Sequence, residues 1–123
     1  HANSNRLYIG IQSGQLFYRL GSSSAVQVGA YSAGTILNVG LSWKANKASF
    51  VVNGVTKTLD QAFSGTVGSS TTNATHLGAY NTGTTVVSLL DGSIASFNMD
   101  NRAFNESQLL SFSTNPYQFL IPA

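Results

Sequence analysis

The stretch Thr75–Pro116, THLGAYNTGTTVVSLLDGSIASFNMDNRAFNESQLLSFSTNP, decides how the chain is read. Ala74–Tyr80 alternates Leu77 and Ala79 with His76, Gly78 and Tyr80, which describes a strand with two unlike faces. Asn81–Gly83 turns it. Thr84–Leu90 is a β-branched strand, and Asp91-Gly92 stops it before a third strand, Ser93–Asp100. The apolar positions of that third strand, Ile94, Phe97 and Met99, slip from a period of two, so a bulge or a switch of faces is expected near Ala95 or Ser96. Asn105 then offers a helix N-cap, and Gln108 completes a capping-box pair. Glu106 suits the positive end of the helix dipole, Leu109, Leu110 and Phe112 give an apolar side, and Asn115-Pro116 ends the helix. The tail Tyr117–Pro122 is expected to pack along the body as an edge strand.

Everything upstream reads as strands and turns. Asn5–Ile11 places Leu7, Ile9 and Ile11 on one face, with Arg6, Tyr8 and Gly10 on the other. After Gln12-Ser13-Gly14, Gln15–Leu20 resumes with Leu16, Tyr18 and Leu20 inward. Gly21–Ser24 turns the chain into Ala25–Tyr31, where Val26, Val28 and Ala30 are expected inside and Gln27, Gly29 and Tyr31 outside. These three segments describe an antiparallel meander. Thr35–Ala45 is the longest expected strand, with Leu37, Val39, Leu41 and Trp43 on one face and Asn38, Gly40 and Ser42 opposite, small enough to floor a groove. Lys47–Val52 and Val55–Leu59 flank Asn53-Gly54, the dipeptide that tolerates positive φ at both positions of a type I′ hairpin turn. Asp60–Gly68 reads as loop with a short strand around Phe63–Val67. About nine or ten short strands at turn spacings of eight to twelve residues point to an all-β antiparallel sandwich with one short C-terminal helix.

Bulk properties narrow the function. The 123 residues fit one domain, 1–123, with residues 1–4 expected to be disordered or appended. The His-Ala start reads as that of an excised piece. Only 8% of residues are charged, and Ser, Thr, Asn and Gly supply the polarity instead. The six basic residues, Arg6, Arg19, Lys44, Lys47, Lys57 and Arg102, are scattered, so no stripe for nucleic-acid phosphates is expected. No apolar run reaches the ~18 residues of a membrane span. The absence of cysteine excludes disulfides and thiolate chemistry.

Three parts in order, GTILNVGLSWKANKASFVVNGV (34–55), HLGAY (76–80) and LLDGSIASFNMDNRAFNESQLLSFSTNP (89–116), resemble the laminin-G-like, concanavalin A-like lectin and glucanase superfamily, in the form found in phage tail or virion proteins. The resemblance covers roughly the last two-thirds of the chain. It implies a jelly-roll sandwich, a virion or extracellular setting, and a role in carbohydrate binding or adhesion within a larger protein. Such domains usually carry a further strand or two before the region resembling Asn5–Ile11, and here these are absent, supplied by another chain, or cut away. A homo-oligomer such as a trimer, or contact with neighbouring domains, follows as an expected partnership.

The residues themselves argue against catalysis. The family's glycoside hydrolases use carboxylates paired on one strand, and their Glu-x-Asp-x-Glu pattern does not occur here. The four acids, Asp60, Asp91, Asp100 and Glu106, are explained by turns, a helix start and an Asp100–Arg102 pair. No Gly-x-Ser-x-Gly elbow accompanies His76. No cofactor is expected. The resemblance leaves calcium open at Asp60, Asn81, Asp91 or Asp100, but no acid-rich loop supports it. A sugar needs an apolar surface for its ring and hydrogen-bonding groups for its hydroxyls, and the candidates for this are Tyr8, Tyr31, Asn38, His76, Tyr80 and Asn81, with Gln27, Arg6 and Arg19 nearby. The same tyrosines also suit cross-strand packing. Two further roles stay open, a structural oligomerisation or capping domain of a fibre and an accessory domain of a glycoside hydrolase.

Overall fold

The computed structural model describes residues 6–67, 77–81, 86–87 and 90–117. Among the described residues, eight strands and one helix follow in order: β1 (Arg6–Gln12), β2 (Gln15–Gly21), β3 (Val26–Ala30), β4 (Val39–Lys44), β5 (Lys47–Val52), β6 (Val55–Ala62), β7 (Tyr80–Asn81), β8 (Val86–Val87) and α1 (Glu106–Thr114). The first three form one antiparallel sheet in sequential order, the next three form a second, and among the described residues β7 pairs with β8. The all-β class holds, and the two three-stranded sheets face one another in a sandwich-like arrangement.

Tight turns build each sheet. Ser13-Gly14 and Asn53-Gly54 each place both residues at positive φ, as two-residue hairpin loops matching the strand twist require. A third such turn, Ala45-Asn46 at φ 47° and 62°, joins β4 to β5 without any glycine. The strand expected over Thr35–Ala45 is shorter, since pairing begins only at Val39 and ends at Lys44.

The core forms where β2 meets β5. Leu16, Tyr18 and Leu20 from one sheet pack on Ala48, Phe50 and Val52 from the other, with Val26, Val28, Leu41 and Trp43 around them. Trp43 accordingly belongs to the core. Tyr18 stacks on Phe50 with ring centroids 4.9 Å apart, and its hydroxyl meets that of Thr58 at 3.0 Å, so the burial leaves no polar atom unpaired.

The other face of β5 is covered by α1. Leu109 is buried there, and a side chain at Gly40 would meet Val51 at 2.9 Å and Leu109 at 3.3 Å, so the small residue lets the helix sit down. Gly40 thus lies under the helix, whereas Ser42 lines a concave feature beside the approach to α1. The expected cap is present: Gln108 N–H donates to Asn105 Oδ1 at 2.9 Å and Asn105 N–H to Gln108 Oε1 at 3.0 Å. The Thr56 hydroxyl donates to Glu106 Oε1 at 2.6 Å, and Gly54 N–H donates to Ser113 Oγ at 2.9 Å, tying both helix ends to the β5–β6 hairpin.

Several expectations are corrected. A bulge in β3 sets Leu16 opposite Gly29 but Phe17 opposite Gln27, so Val28 is the extra residue and Ala30 turns outward beside Gln15. The strand expected around Phe63–Val67 is absent, because β6 itself continues to Ala62 through a positive-φ Asp60 whose amide is taken by Ser49 Oγ at 3.1 Å. Ser93–Asp100 is not a strand and makes no ladder, and its side chains are exposed. Of Ala74–Tyr80 and Thr84–Leu90, only Tyr80–Asn81 and Val86–Val87 are paired strands among the described residues. Residues 74–76 and the tail beyond Tyr117 lie outside the described residues.

Candidate functional site

The outer face of the β1–β2–β3 sheet carries a small aromatic platform. Alternation that sends Leu7, Ile9 and Ile11 toward the core side turns Tyr8 and Gly10 outward, and the same logic turns Phe17 and Arg19 outward on β2. Gly10 lies directly opposite Phe17, and Tyr8 opposite Arg19. The Tyr8 ring folds across Gly10, where a Cβ would fall 2.7 Å from its Cε1 and hydroxyl, and it meets Phe17 at 5.3 Å between centroids and 45° between planes. Any larger residue at position 10 would push the ring off the sheet.

Polar groups frame the two rings. Gln27 is exposed and opposite Phe17. Arg19 is held in place by its Nε–H, which donates to the Ser23 carbonyl at 2.6 Å. The result is an apolar surface bordered by an amide and a positioned guanidinium, all on hydrogen-bonded strands rather than on loops.

The residues expected from the sequence do not all converge here. Tyr8 is in the platform. Tyr31 lies at the end of the same sheet, its N–H donating to the Gly14 carbonyl at 2.7 Å beside the β1–β2 turn. Asn38 belongs to the other sheet's approach to β4, where its N–H donates to Asn53 Oδ1 at 2.8 Å and its carbonyl accepts from Asn53 N–H at 2.9 Å. Tyr80 and Asn81 form β7. His76 lies outside the described residues. Phe17 and Gly10 were not among the expected residues, although Phe17 is the outward neighbour of the inward Leu16 and Tyr18, and alternation alone could have found it.

A second concave feature, about 480 Å³, lies on the opposite side of the molecule where the β4–β5 turn meets the approach to α1. Ser42, Lys44, Lys47, Asp60 and Phe104 border it. Nearby, Arg102 pairs with Asp100 through a 3.0 Å contact, and this hydrogen-bonded guanidinium holds the Asp100 carboxyl below its ordinary 3.8. Among the described residues no group of three or more His, Cys, Asp or Glu side chains is placed to hold a metal ion. No described helix is long and apolar enough to cross a membrane. Comparison of the chain with protein-family models, with characterised proteins and with solved structures finds no match.

Proposed function

We propose that this chain is a non-catalytic carbohydrate-binding or adhesion module of a larger phage tail, virion or secreted protein, with a glycan or cell-surface polysaccharide as its partner. The observation that carries the reading is the Tyr8 ring laid over Gly10 beside Phe17, with Gln27 and Arg19 at its border. A pyranose ring presents C–H groups that suit such an aromatic surface, while its hydroxyls need neutral donors and acceptors around the rim. Water bridging serves these polar contacts nearly as well as direct bonds, so a shallow face suffices for a weak, repeated interaction. The facing sheets fit a sandwich, the coarser part of what the sequence resemblance implies.

A glycan array followed by titration tests the proposal. Tyr8→Ala and Phe17→Ala are each expected to weaken binding of an array-identified saccharide by about tenfold or more, the loss of an aromatic anchor worth roughly 1.4 kcal/mol. Asn38→Ala, far from the platform, is expected to leave affinity unchanged. An array without any ligand, or a ligand indifferent to both aromatic substitutions, would overturn the assignment.

A further inference from the structure

We propose that the cleft between the β4–β5 turn and the approach to α1 binds the carboxylate of an acidic sugar, held by Ser42 and Ser49 at its floor and by Lys44 and Lys47 at its rim. The site is separate from the aromatic platform and does not rest on the function proposed above. Strand register builds it. Ser42 lies directly opposite Ser49, and Lys44 directly opposite Lys47. Trp43 and Ala48 between them pack in the core, so alternation turns the four polar side chains to the other face, the one that α1 covers at Gly40. Helix α1 begins only at Glu106, and before its start this face opens into a cleft of about 480 Å³. That volume falls within the ~300–1,000 Å³ of small-molecule sites.

Two features of the cleft lack the partner that folding normally supplies. Ser42 is only 7% exposed, yet its hydroxyl has no hydrogen-bond partner among the described residues. Every enclosed side-chain oxygen among those residues is paired, so the Ser42 Oγ opens on the cleft that Ser42 borders. The Ser49 Oγ accepts the Asp60 N–H at 3.1 Å, which leaves its own proton to donate. Above these hydroxyls the two lysines stand side by side, an arrangement that like-charge repulsion disfavours. Among the described residues neither has an ion-pair partner, for Asp100 is held by Arg102 at 3.0 Å and Glu106 by the Thr56 hydroxyl at 2.6 Å. Asp60 is the one acid bordering the cleft among the described residues, so its wall keeps a single net positive charge.

These groups fit one ligand chemistry. A carboxylate carries one negative charge and two oxygens, each able to accept from a hydroxyl and an ammonium. A phosphate ester, at about −1.5 to −2, would exceed the charge of the wall and press its oxygens on Asp60. Phe104 supplies an apolar side for the C–H groups of a sugar ring. Its own ring is fixed against Phe112, with centroids 4.9 Å apart, and by the Arg102 guanidinium 5.9 Å from its centre.

An NMR titration with sodium glucuronate and galacturonate tests the assignment, with glucose and inorganic phosphate run beside them. At least one uronate is expected to give saturable shifts at Ser42, Lys44, Lys47, Ser49 and Phe104, with an affinity ~10-fold or more above that of glucose or phosphate, and to weaken as salt screens the lysines. Ser42→Ala, which deletes only a hydroxyl, is expected to lower uronate affinity about 10-fold, and Lys44→Gln about threefold. Lys44→Gln also removes a like-charge pair, so its Tm is expected to hold or rise; a fall would show that Lys44 is already paired within the fold and would overturn the proposal. No saturable shift with either uronate, glucose or phosphate binding as tightly, or full affinity in a folded Ser42→Ala variant would overturn it too. Uronate shifts confined to Tyr8 and Phe17 would refute the cleft and leave the platform standing. Uronate binding at the cleft with no neutral saccharide bound anywhere would refute only the platform, so the two failures are told apart.

Discussion

Two segments contain the same tripeptide, Ala-Ser-Phe, and meet opposite fates. In β5, Ala48-Ser49-Phe50 is buried throughout, whereas Ala95-Ser96-Phe97 is exposed throughout. Local propensity does not separate them. The difference is that β5 has a strand on each edge, β4 and β6, and a packed layer on each face, the β2 side chains and α1. A strand stops being a strand when its ladder and its cover are both missing, because the cost of ordering it is then not offset by burial.

The comparison is sharpest at the two phenylalanines. Phe50→Ala is expected to lower unfolding free energy by about 3–5 kcal/mol, whereas Phe97→Ala, at a half-exposed site, is expected to cost no more than about 1 kcal/mol; urea melts of both variants check this. Equal losses would break the contrast. Leu109→Ala removes the cover from the helix side of β5 and is expected to cost about 3 kcal/mol, with exchange in α1 rising more than exchange in the β1–β3 sheet. A uniform rise across both sheets would mean that the helix layer is not separable from the core.

Smaller effects probe the turns that place each segment. Ala45 pays for a left-handed backbone at φ 47° in the turn that lays β4 on β5. Ala45→Gly is expected to raise stability by about 0.5–1 kcal/mol, the relief of strain outweighing the added freedom of the unfolded chain, and thermal melts would show it. The least effect is at Asp100, which ends the exposed segment. Its folded-state carboxyl titrates below the ordinary 3.8 because Arg102 bonds its charged form. The sign is therefore that the pair's contribution is present above that ordinary value and fades as pH falls through the lower folded one. Since both groups are solvent-exposed, Arg102→Ala is expected to return the Asp100 titration toward 3.8, as read by carboxyl NMR, without a measurable change in Tm.

Legibility in the sequence followed how local the determining chemistry is. Asn53-Gly54 and the Asn105–Gln108 capping box carry their own geometry in two to four residues, and both are found where they were expected. The Asp100–Arg102 pair likewise needs only neighbours. The strand before the Ala45-Asn46 turn alternates from Thr35 onward, yet its pairing begins only at Val39, where no local signal marks the start. The β3 bulge depends on a pairing partner, Leu16, twelve residues upstream of Val28, and no local signal marks it. Ser93–Asp100 has an apolar pattern that invites a strand, yet strand formation depends on an edge elsewhere in the chain. At the candidate site, Tyr8 was visible by alternation, but its partnership with Phe17 required knowing that Gly10 faces that ring across the hairpin.

The most direct test of the central claim, that the outer face of β1–β3 is a saccharide platform, is an NMR titration of the labelled protein with a panel of neutral oligosaccharides. The account predicts saturable shifts confined to Tyr8, Gly10, Phe17, Arg19 and Gln27. Shifts that instead cluster at Lys44, Lys47 and Phe104, or a spectrum unmoved by every saccharide in the panel, would contradict it.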